Sequence, residues 1–294
     1  MDEMKMIPVI YDCDNTMGVD GNDVDDGLTL LYLLGLPEVN LVGVTCTFGN
    51  NGQDCVYKNT VSLLREWNRE EIPCLKGAYS KDDRESEAAE FLAAKAEEYK
   101  GELVIIATGA MSNLYQASLV DENFYANVRA ISIMGGITQE LIVNGGVMKE
   151  LNLSCDPLAS YEMFKNAKRM LIANAHTSLE SYFSRESFEG SSSIVRPTLH
   201  SYLLRKIESW FERYMRVWKL DGFVCWDVMA AAQYFRPELF EEGVNYITPT
   251  EKSLETGMLA GDGAIINVEM PVIKDVDEYR KHVYETFNNA DVSI

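Results

Sequence analysis

Short apolar runs recur along the chain, and the stretches between them carry apolar residues three and four positions apart. The runs "IPVIYD", "NLVGVTC", "EIPCLKG", "ELVIIAT", "VRAISIMGG" and "AKRMLIANA" are too short for helices and read as six buried strands. The first four are each followed by a helical pattern, as in "LTLLYLLGL", "QDCVYKNTVSLLREW" and "ESEAAEFLAAKAEEYK". Alternation at this spacing predicts an α/β fold with a doubly wound, mostly parallel open sheet. "CDPLASYEMFKNA" is a further helix start, with Asp156 as N-cap and Pro157 at the first helical position.

Beyond residue 178 the pattern changes. Apolar residues fall at helical spacing in "SYLLRKIESWFERYMRVW", after a break at "EGSSS", which predicts a helical excursion spanning 178–235 in the C-terminal third. A strand "GAIINVEM" and a helix "VDEYRKHVYETF" follow. With no linker or internal repeat, residues 1–294 are expected to form a single domain.

The join between the first strand and the first helix reads "DCDNTMGVDGNDVDDG" and holds Asp12, Asp14, Asp20, Asp23, Asp25 and Asp26. Carboxylates this close raise one another's pKa unless a cation, hydrogen-bond donors or bulk water offsets the repulsion. The stretch is either a solvated turn rich in Asp, Asn and Gly or a metal-binding loop. Its place at the carboxyl end of a predicted parallel strand, where open α/β sheets bind ligands, favours the metal. An EF-hand is excluded, because no register puts Gly at position six and Glu at position twelve.

Charge narrows the partners. Lys+Arg 26 against Asp+Glu 46 gives a net charge of -20 over 294 residues. Such a surface repels nucleic acid and anionic membranes and leaves small neutral or cationic ligands. The six cysteines show no C-x-x-C pairing and read as reduced core residues. The chain enters its first strand almost at once, and no apolar run reaches membrane-spanning length, so the expected location is cytoplasmic. His176, His200 and His282 lack ligand-like spacing and are expected to be structural or exposed.

Two enzyme families share parts of this pattern. "VIYDCDNTM" resembles the opening of haloacid dehalogenase-type phosphotransferases. That resemblance implies Asp12 as nucleophile and Asp14 as acid/base, with Thr108 and "GDG" at 261–263 as later motifs, but it covers only three short patches. A broader resemblance takes in Asp25 and Asp26. "DCD…DVDDGLTLLYLLG" resembles the D-x-D-x-x-x-D-D opening of the inosine–uridine nucleoside hydrolase family. "LVGVTCTFGNN", "IPCLKGA", "ATGAMSN", "ISIMGG", "KELNLSCDPLAS" and "CWDVMAAA" resemble its later blocks in order, so the likeness runs from about residue 7 to 232.

This second resemblance implies a Rossmann-like nucleoside hydrolase fold and hydrolysis of the N-glycosidic bond of ribonucleosides. Asp14, Asp26, Asp227 and the main-chain carbonyl of Thr108 would hold calcium, with ribose hydroxyls and one water completing six to eight oxygens. Asp14 would be the general base. Asp25, Asn50, Asn144, Glu150 and Asn152 would bind the ribose, and a homodimer or homotetramer is implied. Trp226 before Asp227 resembles the purine-preferring branch, with the indole stacked on the base, and Tyr79 would be a second aromatic wall. The plainer readings are a core Trp226 and a surface Tyr79. Trp210 and Trp218 read as core packing of the helical excursion, in a region that could also border the pocket.

One departure stands out: ten residues separate Asp14 from Asp25, where the family motif has three. The insertion of seven within "NTMGVDGNDV" is either an outward bulge or a lid over the pocket, and Gly18 and Gly21 make a tight excursion feasible. A third possibility is a protein that binds nucleoside or ribose without turnover.

Overall fold

The computed structural model describes residues 5–294. Its central sheet has the spatial strand order Phe240–Ile247, Ile266–Ile273, Met170–Ala173, Ala130–Met134, Val104–Ala107, Ile7–Cys13, Val39–Cys46, Cys74–Lys76. All neighbours are parallel except Phe240–Ile247 against Ile266–Ile273. Every apolar run read as a strand lies in this sheet.

The reason is burial on both faces. Strand Ile7–Cys13 sends Val9, Tyr11 and Cys13 into one core and Ile10 into the other, and Val104–Ala107 likewise divides Val104 and Ile106 from Ile105 and Ala107. A strand buried on both sides needs near-continuous apolar character and helices above and below. One layer holds helices Asp25–Gly35, Trp226–Phe235 and Val276–Asn289, and the other holds Glu87–Glu98, Ser112–Val120 and Pro157–Asn166. Asp156 caps the last of these, its carboxylate accepting from the Ala159 amide at 3.1 Å. Among the described residues no helix is long and apolar enough to cross a membrane.

From Ile7–Cys13 the chain builds outward on one side to Val39–Cys46 and Cys74–Lys76, then returns to add Val104–Ala107 on the other side. The order therefore reverses between Ile7–Cys13 and Val104–Ala107. Open α/β sheets bind ligands in the crevice at the carboxyl ends of such a strand pair. Asp14 and Thr108 follow these two strands directly.

Two expectations change. Strand Phe240–Ile247 was not legible because "FEEGVNYI" is an exposed, irregularly paired edge with little apolar alternation. The helical excursion, expected to reach 235, gives way earlier. Helix Pro197–Trp218 is flanked by an antiparallel ribbon of Tyr182–Ser184 and Gly222–Val224. Trp226–Phe235 belongs to the sheet's own helical layer, where its small residues Ala230, Ala231 and Ala232 are buried and Ser132 of the Ala130–Met134 strand donates to the Ala230 carbonyl at 2.5 Å.

The insertion after Asp14 is neither a free bulge nor a loose flap. Met17 is fully buried and packs on Gly27 in the first turn of helix Asp25–Gly35. Gly18 (φ 91°) and Gly21 (φ 64°) take the left-handed turns that close the loop. The loop is tied to two helices: Asn59 donates to the Asn15 and Met17 carbonyls at 3.3 and 3.2 Å, and Ser209 accepts from the Gly21 amide at 3.1 Å. Asp25 and Asp26 consequently stay at the helix start.

A methyl group at Gly27 would overlap the Met17 side chain. Gly27→Ala is expected to destabilise the protein by about 2 kcal/mol, a typical cost of overpacking. In urea melts Met17→Ala should recover part of that loss in the double variant, and strict additivity would show that the insertion is not wedged there.

Candidate active site

Four carboxylates reach the sheet's switch point from three directions. Asp14 follows the first strand, Asp25 and Asp26 open helix Asp25–Gly35, and Asp227 lies in the first turn of helix Trp226–Phe235. The positive ends of both helices thus face the acidic groups. Oxygens of Asp25, Asp26 and Asp227 lie within 4.8 Å of one another. Asp14 is joined to them by Asn50, whose side-chain amide donates to Asp14 Oδ1 at 3.1 Å and to Asp26 Oδ2 at 3.2 Å. The Asn50 main-chain amide donates to Asp14 Oδ2 at 2.6 Å.

Hydrogen bonds hold Asp14, Asp25 and Asp26 in place. Asp26 Oδ1 accepts from the Thr108 hydroxyl at 2.8 Å, and the Tyr11 hydroxyl lies 2.8 Å from that same Thr108 oxygen. Asp25 Oδ2 accepts from the main-chain amides of Trp226 and Asp227 at 2.9 and 3.3 Å. This last pair fixes the start of a helix some two hundred residues away in sequence.

Burial dominates the electrostatics. It pushes Asp26 up to about 7, with the neighbouring Asp25 charge adding to the effect. Burial also raises Asp14 and Asp227, and the charged neighbours acting on both are other aspartates. Loss of water penalises each charge, and among the described residues the charges that act on these groups are those of other aspartates. An all-oxygen donor set of this kind suits a hard divalent cation, whose charge would reverse the penalty. The residues present therefore fit a metal of that class.

Above the carboxylates lies a cavity of about 330 Å³, within the range of small-molecule sites. Asp25, Asn50, Thr108, Glu150, Asn152 and Asp227 supply polar lining, and Trp210, Tyr214, Trp218 and Trp226 form an aromatic wall. Glu150 is buried and accepts from the Leu153, Ser154 and Gly136 amides at 2.8, 2.8 and 3.2 Å. The Asn152 amide donates to the Met134 carbonyl at 3.1 Å.

Four expected residues are not part of the cavity lining: Asp14 and Asp26 lie in the buried carboxylate group beside it, and Asn144 and Tyr79 sit at the surface. Asn144 sits in the turn between the short strands Ile142–Val143 and Gly146–Val147, exposed, with its amide donating to the Trp218 carbonyl at 2.7 Å. Tyr79 is 55% exposed and its hydroxyl donates to Asp54. The phosphotransferase reading meets a similar obstacle. Asp12 is fully buried beneath the sheet end, and its Oδ1 accepts from Thr45 at 2.5 Å and Asn113 at 2.7 Å, so a substrate in the cavity has no access to it.

Several residues that brace or line the site were not read as site residues. Tyr11 looks like any core aromatic of an alternating strand, and no local signal distinguishes it. Trp210, Tyr214 and Trp218 do share a signal, the i, i+4, i+8 spacing of one helical stripe. Asp23, from the insertion, also lines the cavity.

The family model for inosine-uridine preferring nucleoside hydrolases matches residues 9–290. Probable uridine nucleosidase 2 of Arabidopsis thaliana is 24% identical over 254 residues, covering 75% of this chain and 78% of its own. The pyrimidine-specific ribonucleoside hydrolase RihA of Shewanella sp. (strain MR-7) is 24% identical over 285 residues, covering 87% and 86%. Among solved structures, the plant nucleoside hydrolase PpNRh1 superposes with a TM-score of 0.82 at 20% identity, over 96% of this chain and 99% of that one. The purine-preferring ribonucleoside hydrolase from Gardnerella vaginalis gives 0.79 at 20% identity, over 97% and 100%. With acidic cluster, sheet topology and nearly full-length match in agreement, the chain is an enzyme of the inosine-uridine preferring nucleoside hydrolase family.

Proposed function

We propose that this enzyme hydrolyses the N-glycosidic bond of purine ribonucleosides, with Asp14 as general base and calcium as cofactor. The observation that carries the reading is the convergence of buried carboxylates from separate loops beneath a cavity with an aromatic wall. Asp14, Asp26, Asp227 and the Thr108 carbonyl would hold the ion, which when bound lowers the pKa of water and grips ribose hydroxyls.

Asp14 takes a proton from the attacking water. The water oxygen bonds to C1′ as the C1′–N bond breaks, and the bonding pair leaves with the base. Positive charge builds on the sugar as it does in glycoside hydrolysis, and the acidic floor favours it. Asp25, Asn50, Glu150 and Asn152 line the cavity as acceptors and amides for ribose hydroxyls. Leaving such a hydroxyl unpaired on burial costs about 1–3 kcal/mol, so 2′-deoxy substrates should be poor.

Trp226 and its aromatic neighbours support stacking of a large flat base, and the structural likeness to a purine-preferring hydrolase points the same way. The uridine and pyrimidine hydrolases among the relatives favour a second reading, cleavage of uridine. Rates on inosine and uridine separate the two. Trp226→Ala is expected to lower kcat/KM on inosine by roughly 5- to 100-fold, the worth of one stacking contact, and to affect uridine less. Equal losses on both bases would remove the stacking role.

Asp14→Asn should lower kcat by about 10²- to 10⁴-fold while leaving the thermal melt cooperative, and a reducing-sugar assay that finds normal rates would dismiss it as base.

The metal-free protein should show an unusual pH profile. Asp12 and Asp26 are pushed up to about 7 by burial, against roughly 3.9 for an aspartate in an unfolded chain. The folded state then holds protons that the unfolded state has released. The contribution of these two groups to stability is therefore full below about pH 4 and is lost as the pH rises through 7. Calcium added to chelator-treated protein should raise Tm at pH 7 and restore turnover, and a Tm indifferent to the ion would argue against this cluster as its site.

A further inference from the structure

We propose that residues 139–149 form a strap that gates the cavity, and that Asn144 is its latch, a positioning residue that acts through Trp218. The inference rests on the nucleoside hydrolase reading and adds to it the route by which substrate enters and products leave. The strap is a hairpin. Its strands Ile142–Val143 and Gly146–Val147 are joined by Asn144 (φ 44°) and Gly145 (φ 81°), the left-handed pair that a tight two-residue hairpin turn demands.

Both ends of the strap are anchored. On one side the Ile137 amide donates to the Gly257 carbonyl at 2.8 Å, and the Leu259 amide donates to the Ile137 carbonyl at 2.9 Å. On the other side Glu150 accepts from its three main-chain amides. Between these anchors the polar ties almost vanish. Among the described residues, one hydrogen bond joins 139–149 to the rest of the chain, from the Asn144 side-chain amide to the Trp218 carbonyl at 2.7 Å. The joints at Gln139, Glu140 and Lys149 are exposed. An element held in this way opens locally at far less cost than the core.

Position makes the strap a gate. Its feet, Leu141 and Met148, line the cavity, and its tip bonds to a residue of the aromatic wall. Gly146 packs on the Trp218 ring, which a methyl group there would meet at 2.8 Å. Val143 is 4% exposed and belongs to the small apolar cluster that holds Trp226. The feet also line a second cavity of about 390 Å³, together with Ile137, Val147 and Met258. Space beside the feet leaves the strap room to swing, which a close-packed interior denies. A nucleoside passes when the Asn144 bond opens. The latch bonds protein to protein, so it slows entry and exit alike and leaves the equilibrium affinity nearly unchanged.

The test is Asn144→Gly, which removes the donor and keeps the left-handed backbone at ease. Binding of free hypoxanthine to the calcium-loaded protein is followed by indole fluorescence in a stopped-flow instrument. Association and dissociation rates should both rise roughly 3- to 10-fold, the worth of one hydrogen bond, with Kd moving less than about twofold. Unchanged rates, or a weaker Kd at an unchanged association rate, as damage to the wall would give, would overturn the latch. A second measurement needs no ligand. In Val143→Cys the introduced thiol, on a side chain buried only while the strap is closed, is alkylated with iodoacetamide and read by peptide mass spectrometry. Its rate should be insensitive to low urea and roughly 3- to 10-fold faster when Asn144→Gly is added. Alkylation no faster than that of the fully buried Cys46, which waits for global unfolding, would refute the opening. Failure of the unaltered protein to cleave inosine or uridine would instead overturn the hydrolase reading, and the thiol measurement would still decide whether the strap moves.

Discussion

Several carboxylates buried against one another, none of them in an ion pair among the described residues, form the constraint on which the site depends. Aspartates 14, 25 and 26 keep their places through donors that carry no charge: the Asn50 amides, the Thr108 hydroxyl and the main-chain amides of Trp226 and Asp227. These donors soften the repulsion without removing it, which is why burial still drives the aspartates upward in pKa. A divalent ion is the natural completion of such a cluster. The same crowding explains nearby glycines. A methyl group at Gly49 would strike the Asp14 carboxylate, and one at Gly109 would crowd its main chain and Cβ.

The long helix of the C-terminal third and the insertion after Asp14 form the other half of the site. The insertion hangs on this helix through Ser209 and on helix Gln53–Glu66 through Asn59, while its last turn presents Asp23 to the cavity. One loop thus ties the acidic floor to the element that carries Trp210 and Tyr214. A departure from the family spacing that threatened to displace Asp25 and Asp26 instead packs Met17 beneath them.

Asp12 and Asp14 show how two adjacent positions of one motif divide their tasks. Asp12 lies inside the strand and is held there by Thr45 and Asn113, whereas Asp14 follows the strand's end and meets Asn50 at the crevice. A D-x-D pair read alone supports a phosphotransferase as readily as a hydrolase. The complete burial of Asp12 removes the first option.

Local pattern was enough for much of this protein. Apolar runs buried on both faces announce parallel strands, the Asp156–Pro157 pair announces a helix start, and Asp14, Asp25, Asp26 and Asp227 stand out because like charges in short loops demand a reason. The edge strand Phe240–Ile247 was silent, since an exposed edge imposes no apolar period. Asn144 and Tyr79 looked suitable by residue type and position, yet chain direction after each turn carries them to the surface. Tyr11 carried no signal of its own and Trp210 read as core packing in a region that could border the pocket; the packing of distant elements reveals that one braces Thr108 and the other lines the cavity. Residue type and periodicity are written locally, so the chain alone determined its strands, its helices and the identity of its acidic groups. Which of those groups share one site was decided by tertiary contacts, because convergence depends on long-range bonds such as that from the Trp226 amide to Asp25, which leave no trace in either segment by itself.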